Sequence, residues 1–129
     1  MSDAYHTRFE CADPILRVED MPAAVRYYVE VLGFEQASWG DDNFTCVTRD
    51  AAAIYLCKGD QGHTGSWVWI GVEDVEKLYE ELKANGAKIR QEPTNYPWAL
   101  EIRVEDLDGN VLRMGSDSKQ DRPYETWRS

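Results

Sequence analysis

The sequence predicts an α+β fold built from two tandem strand–helix–three-strand modules, with curved mixed sheets and a concave ligand groove. Three observations carry that expectation. The 129 residues amount to one domain's worth of chain. The phrase Val18-Glu19-Asp20-Met21 returns as Val72-Glu73-Asp74-Val75, an offset of 54 positions. Each copy follows an apolar stretch and opens a segment with helical spacing.

The elements follow in order. Residues 14–18 form the first apolar stretch and residues 67–72 its counterpart. In the first helix Met21, Val25, Tyr28, Val29 and Leu32 lay an apolar stripe along one face. In the second, Val75, Leu78, Tyr79 and Leu82 do the same. Asp20 and Asp74 stand where an N-cap belongs, because their carboxylates accept from free backbone N–H groups. Pro22 fits the first turn, where its missing N–H does no harm. Gly33 and Gly86 mark the stops, since glycine adopts the left-handed C-cap conformation. Strand texture then returns: residues 34–39, the turn Gly40-Asp41-Asp42-Asn43, then 44–48 and 53–57. The second module repeats this as 87–90, a loop over 92–97, then 100–104, the hairpin turn Asp108-Gly109-Asn110, and 111–114. The expected boundaries are about 12–58 for module one, 59–65 for a glycine-rich flexible linker, about 66–115 for module two and 116–129 for a tail. Tyr124 and Trp127 suggest that the tail docks.

One helix covers one face of a module's sheet. The other face must meet a second sheet, from the other module or from another copy of the chain. The open concave face is the natural place for a ligand.

Composition removes several function classes. Fourteen basic and 24 acidic residues leave a formal charge of −10, with a pI near 4.6. Such a surface repels phosphate backbones and anionic membranes, so nucleic acid and membrane are not expected partners. Hydrophobic residues at 43% and aromatics at 12% are enough for a core and exclude disorder. Cys11, Cys46 and Cys57 are widely spaced, with no C-x-x-C, and read as reduced thiols. The polar start of the chain lacks an apolar run and no segment is long enough to span a bilayer, so a cytoplasmic protein is expected.

The phrases Leu16-Arg17-Val18-Glu19-Asp20-Met21, Tyr27-Tyr28-Val29-Glu30-Val31-Leu32-Gly33-Phe34 and Asp106-Leu107-Asp108-Gly109-Asn110, in this order, resemble the glyoxalase / bleomycin resistance / extradiol dioxygenase (vicinal oxygen chelate) superfamily. The resemblance runs from about Asp13 to Met114. Within it, Asp41-Asp42-Asn43-Phe44 with Arg49-Asp50, Trp67-Val68-Trp69-Ile70, and Pro97-Trp98 with Glu101 are most similar to the bleomycin resistance group. That resemblance implies a homodimer with two grooves at the subunit interface. An exchanged N-terminal arm, residues 9–12, would be compatible with it.

Enzymes of this superfamily hold a divalent metal on facing strands. Residue by residue, the matching positions carry Asp13, Trp67, no carboxylate around 54–56, and Arg113 in place of a glutamate. A guanidinium there would repel a divalent ion. His6 and His63, the two histidines, read as solvated residues. No metal, no cofactor and no catalytic residue are therefore expected. The alternative, a metal-dependent lyase, isomerase or dioxygenase of the same fold, would require Asp13 and further ligands to bind a metal.

The resemblance implies sequestration of a bleomycin-like or other cationic aromatic compound. Such a ligand calls for acids against its cation and rings against its flat parts. The candidate residues are Trp39, Asp41, Asp42, Phe44, Trp67, Trp69, Trp98 and Glu101. Trp67 and Trp69 share one strand face and serve equally well as sheet core. Asp41 and Asp42 also suit a turn. Tyr27 and Tyr28 read as helix packing. Glu101 suits a ligand contact or an arginine partner better than a general base.

Overall fold

The computed structural model describes residues 6–127. Module one runs β1 (Ile15–Arg17), α1 (Met21–Arg26), β2 (Glu35–Gln36), β3 (Phe44–Arg49) and β4 (Ala52–Cys57). Module two runs β5 (Trp67–Gly71), α2 (Val75–Ala84), β6 (Lys88–Asn95), β7 (Leu100–Glu105) and β8 (Val111–Ser116). Each module forms a four-stranded mixed sheet, ordered β1-β4-β3-β2 and β5-β8-β7-β6. The first strand of each pairs in parallel with the last, and the others are antiparallel. The predicted α+β plan of two tandem modules with mixed sheets is the observed one.

The caps form as their side chains dictate. Asp20 accepts from the Ala23 N–H at 3.1 Å, and Asp74 from the Lys77 N–H at 3.1 Å. Gly33 and Gly86, beyond the helices, have φ of 77° and 83°. The first helix departs from the expected regular form. After Arg26 it widens into a π-helical turn over Tyr27–Val31, where the Leu32 N–H reaches back to the Tyr27 carbonyl. The turn coincides with two adjacent tyrosines that both reach module two. Tyr27 Oη donates to the Glu105 carbonyl at 2.7 Å, and Tyr28 Oη to Asp106 at 2.8 Å.

Strand β6 is longer than expected. Residues 92–95, read as loop, belong to it, and Pro93 sits inside a strand. Two observations explain this. β6 is an edge strand, so proline costs no ladder bond on its outer side, and its register shifts twice along β7. β2 is shorter than the expected 34–39, which leaves Trp39 beyond it in a turn.

One core serves both modules. Leu16, Val47, Ile54 and Leu56 of the first sheet join Leu100, Ile102, Val104, Leu112 and Met114 of the second around Tyr28, Leu32, Val75 and Leu82 of the helical segments. The helix-side faces of both sheets are thereby buried together, and the opposite faces look outward. Among the described residues no helix is long and apolar enough to cross a membrane.

Candidate functional site

The alternation of a strand sends every second side chain to the open face. On the first sheet the ladder there runs Ile15, Tyr55, Cys46, with Cys57 opposite Phe44. Trp39 joins from the turn. Its ring lies 6.3 Å from Phe44 and 6.2 Å from Tyr55, and Phe44 stacks on Tyr55 at 5.5 Å. Cys46 and Cys57 are free and buried, and burial followed by the charge of Asp13 pushes the Cys46 thiol up.

On the second sheet the equivalent ladder runs Trp69, Arg113, Arg103, with Gly115 opposite Glu101. Glu101 is 0% exposed. Its carboxylate accepts from Arg113 Nε at 2.6 Å and Nη2 at 2.9 Å, and from Trp98 Nε1 at 3.0 Å. Arg103 Nε stands 3.8 Å from the same carboxylate. These bonds are charge-assisted and two-pronged, the strong geometry for a guanidinium. Donating to the Glu101 carboxylate raises the Arg113 pKa above its ordinary value.

Indole rings cover the guanidinium groups. Arg103 lies 5.4 Å from the Trp67 ring centre, Arg90 lies 5.1 Å from it, and Arg113 lies 5.2 Å from that of Trp69. Trp69 lies so close over β8 that a Cβ at Gly115 would collide with its Cη2 atom. Tyr96 stacks on Trp98 at 4.7 Å with ring planes 7° apart. Trp127, from the segment after β8, joins that stack at 5.8 Å from each ring.

Asn95 holds this last segment in place. Its side-chain amide donates to the carbonyls of Lys119, Arg122 and Pro123, its carbonyl oxygen accepts from the Lys119 N–H, and its backbone carbonyl accepts from the Glu125 N–H. The expectation that the tail docks is met, through Trp127 and Asn95.

The eight candidate residues fall into two patches on different sheets. Trp39, Asp41, Asp42 and Phe44 belong with the first sheet, and Trp67, Trp69, Trp98 and Glu101 with the second. Trp67 and Trp69 are 48% exposed each, so they are not core. Asp41 spends one oxygen on the N–H groups of Asn43 and Phe44, which makes it a turn former, while Asp42 is exposed. Glu101 is no free anion, because Arg113 and Trp98 hold it. Tyr55, Arg103, Gly115 and Trp127 were missing from the candidates. Period two was the available signal, since it places Arg103 beside Glu101 on one face of a strand whose opposite face, Leu100, Ile102 and Val104, is apolar.

The donor set does not fit the metal of the superfamily's enzymes. At the matching positions stand an exposed Asp13, the Trp67 indole and the Arg113 guanidinium, the last already paired with the nearest carboxylate. Among the described residues no group of three or more His, Cys, Asp or Glu side chains could hold a metal ion. A cleft of about 680 Å³ does exist elsewhere, between the β3–β4 hairpin and α2, but none of the eight candidates lines it.

Two tandem strand–helix–three-strand modules around one shared core define the class of fold. The Glyoxalase/Bleomycin resistance protein/Dioxygenase superfamily profile matches residues 6–114, and the chain belongs to that superfamily. No curated protein matches it. Among solved structures it is similar to TnmS3, an antibiotic binding protein from Streptomyces sp. CB03234, at 21% identity and a TM-score of 0.76, over 88% of this chain and 100% of that one. It is similar to the bleomycin-binding protein of bleomycin-producing Streptomyces verticillus, solved with copper(II)-bleomycin, at 24% identity and a TM-score of 0.68, over 88% and 99%. It is also similar to TioX from Micromonospora sp. ML1, at 22% and 0.70, over 84% and 98%. At these identities the likeness is one of fold.

Proposed function

We propose that the chain is a metal-free binding protein that sequesters a bleomycin-like or other flat aromatic compound, working as a homodimer. The observation that carries this is the second sheet's open face, where half-exposed tryptophans alternate with arginines held in place by a buried carboxylate. Large half-exposed rings are costly to leave in water and serve to stack planar ligands. Antibiotic-binding and bleomycin-binding proteins among the structural neighbours support the same reading.

The shared core supports the dimer. The helix-side faces of both sheets are used up inside one chain. Neither open face can turn onto the other without leaving that core, so a second copy supplies the opposite wall, in two-fold symmetry. The first sheet's Trp39–Phe44–Tyr55 cluster would face the second sheet's tryptophans across the groove. Asp42, exposed beside Phe44, is the acid available to a ligand's cationic tail.

Titration with metal-free and copper-loaded bleomycin, followed by tryptophan fluorescence, tests the binding. Saturable quenching is expected. Its absence up to roughly 100 μM, a binding free energy near 5.5 kcal/mol, overturns the bleomycin-like reading. Sedimentation of the same samples is expected to give a dimer.

A further inference from the structure

Trp127 reaches the second sheet from outside the repeat. Its ring centre lies 4.7 Å from the Arg103 guanidinium carbon and 5.1 Å from that of Arg113. One indole is thus spread over both guanidinium groups. The edge of Arg113 is committed, since its Nε and Nη2 both donate to Glu101. What such a guanidinium still presents is its flat face. That face attracts the negative face of an aromatic ring and repels a ring carrying positive charge.

We propose that Arg103 and Arg113 form the seat for the ligand's flat ring, that this ring is electron-rich and neutral or anionic, and that Trp127 fills the seat in the ligand-free protein. The inference rests on the binding function above and names the ring chemistry of that same site, together with an internal competitor. Trp127 is suited to the role. It is half-exposed, it lies beyond the last strand, and its segment is held by the polar contacts of Asn95 rather than by a sheet ladder. It can leave without unpairing a strand, and its departure uncovers a surface already fitted to a ring of its own shape. A cationic tail several bonds from the ring is compatible with this seat, but a positive charge in the ring or one carbon away from it is not.

The test uses two probes with the same ring and opposite charge, 2-naphthoate and 2-naphthylmethylammonium. Binding is read from the indole N–H resonances of the five tryptophans, assigned by single replacement, in the native chain and in Trp127→Ala. Three results are expected. The naphthoate moves the Trp67 and Trp69 signals, and in the native chain that of Trp127. It binds about tenfold more tightly than the ammonium probe. Trp127→Ala tightens naphthoate binding by about fivefold, because a competitor for the guanidinium faces is gone. Equal or tighter binding of the ammonium probe overturns the ring chemistry. Unchanged or weaker naphthoate binding by Trp127→Ala overturns the competitor. Signals that respond to copper-bleomycin but to neither naphthyl probe overturn this proposal and leave the binding function standing. Signals that respond to no probe overturn both.

Discussion

The two modules share a plan and differ in what they show to the outside. On the helix side their apolar residues are alike in kind: Leu16, Val47, Ile54 and Leu56 in one, Ile102, Val104, Leu112 and Met114 in the other, all within one core. On the open side, the positions filled by Ile15, Tyr55 and Cys46 in the first sheet are filled by Trp69, Arg113 and Arg103 in the second. The buried side of a repeat is held to one solution, because every methylene there is felt by close-packed neighbours. The open side is released from that constraint. Module one uses it for an apolar, thiol-lined aromatic patch. Module two uses it for interleaved rings and guanidinium groups. The repeat builds the scaffold, and its divergence builds the site.

The comparison can be broken at several points. Glu101→Leu should have the largest effect, because it removes the buried carboxylate that Arg113 and Arg103 both approach on the second sheet. A loss of about 3 kcal/mol in urea unfolding is expected. A loss below about 1 kcal/mol would mean that the carboxylate does not organise this face. Gly115→Ala tests the close approach of Trp69. It should cost about 1–2 kcal/mol through overpacking and shift the Trp69 indole resonance, while the Trp39 signal in module one stays in place.

Tyr28→Phe probes the side that the modules share. Losing the hydrogen bond to Asp106 should cost about 1 kcal/mol. Burial first, and the Asp106 charge second, raise the Tyr28 pKa well above its ordinary value. The unfolded chain loses this proton near pH 10 while the folded chain keeps it. The native protein should therefore lose stability as pH rises above about 10, and Tyr28→Phe should flatten that alkaline slope. Unchanged alkaline slopes would show that the phenol is not sealed between the modules.

The smallest effect belongs to the seam between the modules, on neither open face. Arg49 Nη1 pairs with Glu81 at 2.8 Å. Hydrogen bonding from Arg49 lowers the Glu81 pKa. That contribution is present at neutral pH and disappears as pH falls through the lowered value. Both groups are partly exposed, so Glu81→Gln should cost only about 0.5 kcal/mol in unfolding at pH 7, and nothing in acid. An undiminished cost in acid would contradict the ion pair.

Much of the fold was legible because local chemistry speaks for it. The 54-residue repeat, two aspartate caps, two glycine stops and an Asp-Gly-Asn turn each act within a few residues, and the structure keeps all of them. The extension of β6 through Pro93 was not legible. Proline is excluded from a central strand and tolerated in an edge strand, and only the sheet order says which strand is the edge. The site was legible in part for the same reason. Alternation put Trp67 and Trp69 on one face, but which face was open depended on where both modules buried their helices.

Charge shows the same division. The family resemblance put Glu101 among the acids expected to meet a ligand's cation. Glu101 fits that picture until its neighbours are known, and they are Arg113 at 2.6 Å and Arg103 at 3.8 Å. Those arginines lie 12 and two positions away in sequence and become neighbours through the β7–β8 ladder. Trp127 comes from beyond the repeat altogether. By itself the sequence determined the modules, their caps and turns, and the periodicity that separates a core face from an open one, because those follow from contacts between near neighbours. Only the tertiary structure decided which charges neutralise one another and which ring covers them, because Coulomb and stacking interactions depend on distances in space that strand pairing alone creates.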